Sequence, residues 1–202
     1  MKPKVVAFDL GKVLVDFDYS IAARKVAARG NTPLPDLAHY LSHSPSLVRY
    51  ETGQVTRQQF FEEVRAATGF RGTLQEFEEF FADIFTPIQP MVEIHAALRQ
   101  RKIPTYIFSN TNDLAADHIR RSFPFFSNFD GYIYSYEVGV MKPDAKIYET
   151  LEARTGRHGS DILYLDDRAE NIAAGAARGW QIILHESPEK TRAVFVKCGL
   201  LD

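Results

Sequence analysis

Cysteine is almost absent from this chain. Cys198 is the only one among 202 residues, so no intramolecular disulfide can form and a cysteine-rich metal site is excluded. An excess of one charge is missing too. Lysine and arginine number 24 against 26 aspartates and glutamates, a net charge of −2, which leaves no basic footprint for nucleic acid or an anionic membrane. No apolar run is long enough to cross a bilayer, and the sequence holds no repeat or low-complexity segment. The N-terminus enters an apolar run almost at once, without a secretory signal pattern, so a cytoplasmic protein is expected. The rest is an ordinary globular composition, 45% hydrophobic and 25% charged. Its length suits one substantial core, or a core with a small insertion.

That first apolar run, Val5-Val6-Ala7-Phe8, reads as a strand buried on both faces. It ends on Asp9, and Gly11 two residues later permits a sharp turn. Ligands of open α/β sheets bind just beyond the carboxyl ends of the strands, so Asp9 stands where such a protein keeps its chemistry. An aspartate in a plain turn is the alternative. The next section, 17–87, reads as helical. A helix is expected over 19–30, and Asp36 is a cap for a short one reaching Leu41. Thr56 and Gln59 form the two halves of a capping box for a helix that stops at Gly69. A further helix over 73–85 puts Leu74, Phe77, Phe80, Phe81 and Ile84 on one face. No strand is expected in this section.

Beyond it, helices and strands alternate. Strands are expected over 105–108, 132–135, 162–165 and 181–184, with helices over 91–101, 112–122, 144–154 and 169–178 and from Pro188 onward. This pattern predicts an α/β fold, a Rossmann-like parallel sheet with helices on both faces. The helical block 17–87 is then an inserted cap domain on a core made of 1–16 and 88–202. The linkers lie near 16–18 and 86–90.

In a parallel sheet the strand ends share one edge. Here they bring together Asp9, Ser109 with Asn110, Lys142 after the third strand, and Asp166 with Asp167. Carboxylates, a hydroxyl, an amide and one ammonium suit a divalent metal and a phosphate. Mg2+ takes a few carboxylate oxygens and keeps several waters. Ser109, backbone N–H groups near Asn110 and the Lys142 cation can hold phosphate oxygens. Asp9 can attack phosphorus in line and form an aspartyl-phosphate.

Four stretches carry a family resemblance. They are Phe8-Asp9-Leu10-Gly11-Lys12-Val13-Leu14-Val15-Asp16, Ile107-Phe108-Ser109-Asn110-Thr111-Asn112, Gly139-Val140-Met141-Lys142-Pro143-Asp144, and Leu163-Tyr164-Leu165-Asp166-Asp167-Arg168-Ala169-Glu170-Asn171. In this order the chain resembles the haloacid dehalogenase (HAD) superfamily, most of whose members are Mg2+-dependent phosphatases. The insert after the first motif resembles the family's small helical cap. Within the family the chain is similar to bacterial α-D-glucose-1-phosphate phosphatases, through the Asp-Leu-Gly opening, the Asp16 and Asp18 pair, the Ser-Asn-Thr-Asn run and the Asp-Asp ending.

The resemblance implies roles. Asp9 is the nucleophile and a metal ligand, with the Gly11 carbonyl and Asp167 as further ligands. Asp166 stands behind them, holding a metal-bound water or Lys142, and Asn171 bonds a metal water. Alternation along a strand end supports separate tasks for Asp166 and Asp167. Ser109 and Asn110 hold the phosphate, and Lys142 pairs with both phosphate and Asp9. The substrate is then a small phosphorylated metabolite, a sugar phosphate in the nearest group.

One position departs from the pattern. Most phosphatases of the family carry a second Asp two residues after the nucleophile, which protonates the leaving alkoxide and then activates water. Gly11 has no side chain for this. Either Asp16, Asp18 or a cap residue stands in, or the substrate has a good leaving group, or the protein is a weak phosphatase that mainly binds phosphate and regulates. Lys12 adds phosphate affinity or is an exposed turn lysine. A 2-haloacid dehalogenase is a further alternative, but those enzymes need no metal and carry a Tyr where this chain has Gly11. Gathering Asp166 and Asp167 around Asp9 without a cation is also costly.

The remaining features read as structural. Phe60, Phe61, Phe70, Phe77, Phe80, Phe81 and Phe85 are expected to form the core of the cap. Tyr19, His43, Arg49, Tyr50 and Glu51 are read as cap surface or interior, with a place facing substrate as their other reading. Glu51-Thr52-Gly53 resembles a turn that faces the active site in capped members. His118, His158 and His185 have no metal-ligand spacing. Phe123-Pro124-Phe125-Phe126 packs the loop before the third strand or serves a dimer contact, so a monomer or a homodimer is expected.

Overall fold

A computed structural model of the chain describes residues 2–202, and the side chains of all of these except 34–36. In chain order the elements are β1 (Val5–Phe8), β2 (Val15–Phe17), α1 (Tyr19–Ala27), α2 (Leu34–His43), α3 (Pro45–Glu51), α4 (Arg57–Thr68), α5 (Leu74–Ala82), β3 (Phe85–Pro87) and α6 (Gln89–Gln100). They continue as β4 (Thr105–Ser109), α7 (Asp113–Ser122), β5 (Gly131–Tyr134), α8 (Ser135–Val138), α9 (Ala145–Thr155), β6 (Ile162–Asp166), α10 (Ala169–Ala177), β7 (Gln181–Leu184) and α11 (Pro188–Lys197).

Five strands form one sheet in the order β5-β4-β1-β6-β7. Every pairing in it is parallel. The expected α/β class is therefore the observed one. β1 lies in the middle because it is apolar at every position. Val6 and Phe8 join one buried cluster, with Met91, Ile94 and Leu98 of α6 and Phe195 of α11. Val5 and Ala7 point the other way, into a second cluster with Ile147, Tyr148 and Leu151 of α9 and Ile172 of α10. A strand buried on both faces needs no polar alternation. Each large side chain so buried is worth about 1.5–3 kcal/mol relative to an exposed one.

Helices α1 to α5 share a third cluster, in which Phe60, Phe61, Phe70, Phe77 and Phe81 are buried. Phe80 and Phe85 pack against it, partly exposed. The predicted capping box is present: the Thr56 hydroxyl accepts the Gln59 N–H at 3.2 Å, and the Gln59 side chain accepts the Thr56 N–H at 2.8 Å. Thr73 and Glu76 repeat the device on α5. Helix α2 begins at Leu34, two residues before Asp36; the side chain expected to cap it lies outside the described residues.

Two expectations for this section are corrected. It does contain strand: β2 and β3 pair antiparallel, with Asp16 opposite Thr86. Strands of three residues are too short to show alternation, and their partners are distant in sequence. The ribbon joins the two chain segments that lead into and out of the helical block. Helix α3 was not expected either, although Ser44 accepts the Leu47 N–H at 3.2 Å and Pro45 fills the first turn, a cap-and-proline start that the sequence does contain.

One buried ion pair closes the second face of the sheet. Glu152 of α9 is 8% exposed. It accepts Arg178 Nε at 3.0 Å, Arg178 Nη2 at 2.6 Å and Trp180 Nε1 at 2.9 Å. The Arg178 hydrogen bond holds its carboxyl below the usual range, against the opposite pull of burial. A carboxyl lowered in the folded state stabilises above its unfolded value and loses that contribution as pH falls through the folded one. Glu152→Gln is therefore expected to cost about 1.5–3 kcal/mol near neutral pH. In urea unfolding, the gap from wild type should narrow as the pH drops below the ordinary glutamate range. A gap independent of pH would remove the charge from this account.

Candidate active site

The sheet edge gathers the site. Asp9 directly follows β1, and its N–H continues the ladder to the Leu165 carbonyl at 2.9 Å. The chain then folds back on itself. Leu10 O accepts Leu14 N at 2.9 Å and Val15 N at 3.0 Å, while Lys12, at φ 59°, donates its N–H to Val15 O at 2.7 Å. This turn leaves Asp9 facing the loops that follow β4, β5 and β6.

Lys142 sits at the centre. Its side chain is 1% exposed. Its ammonium donates to Asp9 Oδ1 at 2.9 Å, Asp166 Oδ2 at 2.6 Å and Phe108 O at 2.8 Å. All three ammonium hydrogens are thereby used. Burial alone would push this lysine down, but the attraction of Asp9 and Asp166 outweighs it and the group is raised. The backbone of Lys142 is clamped as well: Asn110 Nδ2 donates to its carbonyl at 3.0 Å, and its N–H donates to Asn110 Oδ1 at 2.7 Å. Asn110 thus acts first as the clamp that places Lys142.

The two adjacent aspartates differ as the alternation of a strand end requires. Asp166 is fully buried. Besides Lys142 it accepts the Tyr164 hydroxyl, the Arg168 N–H at 2.8 Å, and Asn171 Nδ2 at 3.0 and 3.1 Å. Burial pushes its carboxyl up, and Lys142 together with these donors brings it down. Asp167 is partly exposed and, among the described residues, accepts no hydrogen bond from another side chain. Burial and the nearby Asp166 raise its carboxyl. Burial likewise raises Asp9, with Lys142 pulling the other way and Asp166 adding to the rise.

Oxygens of Asp9, Asp166 and Asp167 lie within 4.8 Å of one another. One ammonium faces three carboxylates, and it is already shared by two of them. The donor set therefore fits a small hard cation, and Asp9 and Asp167 are the members with oxygens left to offer it.

A cavity of about 300 Å³ opens over this edge, lined by Asp9, Gly11, Asn110, Lys142, Asp167 and Asn171 from the strand ends. Tyr19, Ser42, His43, Leu47 and Glu51 of the helical block line it from the other side. Ser109 is buried and lines a smaller adjoining recess together with Gly11, Glu51 and Asn110.

Several expectations change here. Asp16 and Asp18 are exposed and line neither space. Asp16 accepts Lys12 Nζ and the Phe17 N–H at 2.8 Å, and Asp18 caps α1 through Ser20 N at 2.8 Å. These hydrogen bonds hold both carboxyls low, the wrong direction for a proton donor. Lys12 borders the cavity but also lies over the Phe17 ring at 4.5 Å. Arg49 pairs outward with Glu63 at 2.5 Å. Tyr50 is buried and bonds Asp113. The support of Asp166 by Tyr164 was missed, although the two share one face of β6 at the strand period of two.

Comparison with known proteins agrees with this geometry. Residues 3–179 match the haloacid dehalogenase-like hydrolase family. The chain belongs to that family. It is 22% identical over 179 residues to a sesquiterpene phosphatase of Aspergillus oryzae, covering 87% of this chain and 86% of that protein. It is 20% identical over 190 residues to a D-ribitol-5-phosphate phosphatase of Bacteroides thetaiotaomicron, covering 91% and 92%. Among solved structures, a HAD family enzyme of Bacteroides thetaiotaomicron in complex with magnesium and inorganic phosphate has a TM-score of 0.78 at 20% identity, over 90% of this chain and 93% of that one.

In this member of the family, Lys142 carries a structural load as well as a place in the site. Removing one partner of a buried ion pair leaves the other uncompensated. Lys142→Met is expected to lower stability by about 3–5 kcal/mol in urea unfolding with EDTA present. A loss below about 1 kcal/mol would assign the pair no more weight than a surface contact.

Proposed function

We propose that this hydrolase is a Mg2+-dependent phosphatase acting on a small phosphomonoester, with sugar and sugar-alcohol phosphates as the substrate class. The observation that carries the reading is the shared cavity. Asp9 is held by Lys142, with Asp167 and its uncommitted oxygens beside it, on the floor of a space sized for a small ligand. The phosphatase relatives and the magnesium–phosphate complex of a structural neighbour support the same reading. We take 17–87 as a cap over a core of 1–16 and 88–202, in line with the separate aromatic cluster of the helical block.

Asp9, Asp167 and the Gly11 carbonyl are the residues to hold Mg2+, with Asp166 and Asn171 behind them. The metal supplies charge neutralisation between an anionic nucleophile and an anionic phosphate. Asp9 attacks phosphorus in line, its carboxylate oriented by Lys142. The Lys142 cation, its hydrogens committed to Asp9, Asp166 and Phe108, draws the phosphate by charge rather than by a hydrogen bond, and Ser109 and the Asn110 backbone form the cradle. The cap excludes bulk water from the phospho-Asp9 intermediate.

The test is phosphate release from a panel of sugar phosphates, D-ribitol 5-phosphate, nucleotides and p-nitrophenyl phosphate, with Mg2+ or with EDTA. Turnover is expected with Mg2+ only. Asp9→Asn is expected to lose at least about a thousandfold of it, as nucleophile variants do, while keeping the wild-type circular dichroism. Halide release from 2-chloropropionate without metal, and no phosphate release, would make the protein a dehalogenase. Tight phosphate binding without turnover of any ester would make it a binding protein.

A further inference from the structure

A phosphatase without a side chain at position 11 needs its proton from elsewhere. The structure shows first why position 11 stays empty. A β-carbon on Gly11 would come within 2.8 Å of the Phe17 ring. That ring is held between Tyr19 at 5.6 Å and Phe85 at 6.3 Å, with Lys12 over it. The space beside the nucleophile belongs to the aromatic entrance of the cap.

One carboxyl remains on the opposite wall. Glu51, the last residue of α3, lines the cavity that contains Asp9, Lys142 and Asp167, and also the recess that contains Ser109. Among the described residues its carboxyl makes no hydrogen bond and no ion pair. The chain is anchored on either side of it, at Tyr50 and at Gly53. Tyr50 bonds Asp113, accepts the Leu114 N–H at 3.3 Å and stacks on Phe60 at 4.6 Å. Gly53 packs so closely on the Tyr136 carbonyl that a β-carbon there would come within 2.2 Å. Glu51 is therefore held in place, half-buried, with its carboxyl open to the cavity and free to meet a ligand there.

Taking the phosphatase reading as its basis, we propose that Glu51 is the general acid and base of the reaction, supplied by the cap in place of the side chain that Gly11 lacks. Burial holds its carboxyl up to about 7, with Arg168 pulling the other way, and a bound phosphate dianion raises it further. A protonated carboxyl is what the first step requires. As the Asp9 oxygen bonds to phosphorus, the ester P–O bond breaks and its electron pair passes to the leaving oxygen. That oxygen takes the Glu51 proton and departs as the alcohol. In the second step a water oxygen bonds to phosphorus and gives one proton to the Glu51 carboxylate. The Asp9–phosphorus bond breaks, its electron pair returns to Asp9, and inorganic phosphate leaves.

The experiment compares wild type and Glu51→Gln, both with Mg2+, on phenyl phosphate and p-nitrophenyl phosphate. The phenolate leaving from the first ester has a conjugate acid of pKa about 10 and benefits from a proton; p-nitrophenolate does not need one. Removing a general acid is expected to lower kcat/KM for phenyl phosphate about a hundredfold, and for p-nitrophenyl phosphate by less than about threefold. Equal losses on both esters would make Glu51 a positioning residue, and no loss on either would remove it from the reaction; both outcomes overturn the proposal. Glu51→Ala applies the same comparison if Gln disturbs the cap. Wild type inactive on both esters and on the sugar-phosphate panel would overturn the phosphatase reading and this proposal together, whereas an active wild type without the split overturns the proposal alone.

Discussion

A single buried ammonium holds this architecture to its chemistry. Lys142 ties the end of β1 to the end of β6 through Asp9 and Asp166, and reaches the end of β4 through the Phe108 carbonyl. Its own backbone is clamped by Asn110. Four separate chain segments thus meet on one charge. Three carboxylates around one cation leave the cluster short of positive charge. The shortage is not spread evenly. Asp166 is saturated by hydrogen bonds, while Asp9 keeps one oxygen clear of Lys142 and Asp167, among the described residues, receives no side-chain donor. The unmet demand therefore falls on the two groups that face the cavity.

The helical block is held to this edge by contacts of its own. Arg57 of α4 pairs with Asp113 and Asp117 of α7, each at 2.8 Å, and with Glu78 of α5 at 3.2 Å. Tyr50 joins the same patch. Exposed pairs of this kind are worth little singly, but Arg57 is partly buried and bridges three carboxylates. The β2–β3 ribbon provides the other attachment. Between the two, a wall of Tyr19, His43 and Glu51 faces the sheet edge that carries Asp9 and Asp167. The Phe17 ring, part of that ribbon, occupies the space that a side chain at position 11 would use. A side chain on the strand end at position 11 and the aromatic entrance to the helical block compete for one volume, and here the aromatic occupies it.

Much of the fold was legible because it rests on local patterns. Apolar runs of four or five residues, helices with apolar stripes, and a Thr56–Gln59 box are properties of short windows, and a parallel sheet follows from their alternation. The strand-end residues Asp9, Ser109, Lys142, Asp166 and Asp167 were legible for a topological reason: a parallel sheet delivers all its carboxyl ends to one edge. The ribbon of β2 and β3 was not legible, since three residues carry no periodicity and pairing depends on residues about seventy positions away. Asp16 and Asp18 looked suitable by proximity in sequence, but the turn after Asp9 points them outward.

By itself, then, the sequence determined the class of fold, its family and the set of groups at the sheet edge. These follow from periodicity and from residue types at strand ends. Tertiary structure decided how those groups divide their tasks. Whether Asp166 or Asp167 has oxygens free, whether Asn110 clamps the chain, and whether Glu51 reaches the cavity depend on contacts such as Lys142 with Asp9, 133 residues apart. A carboxyl is made saturated or available by its three-dimensional neighbours, through desolvation and hydrogen bonding that no short window of sequence contains.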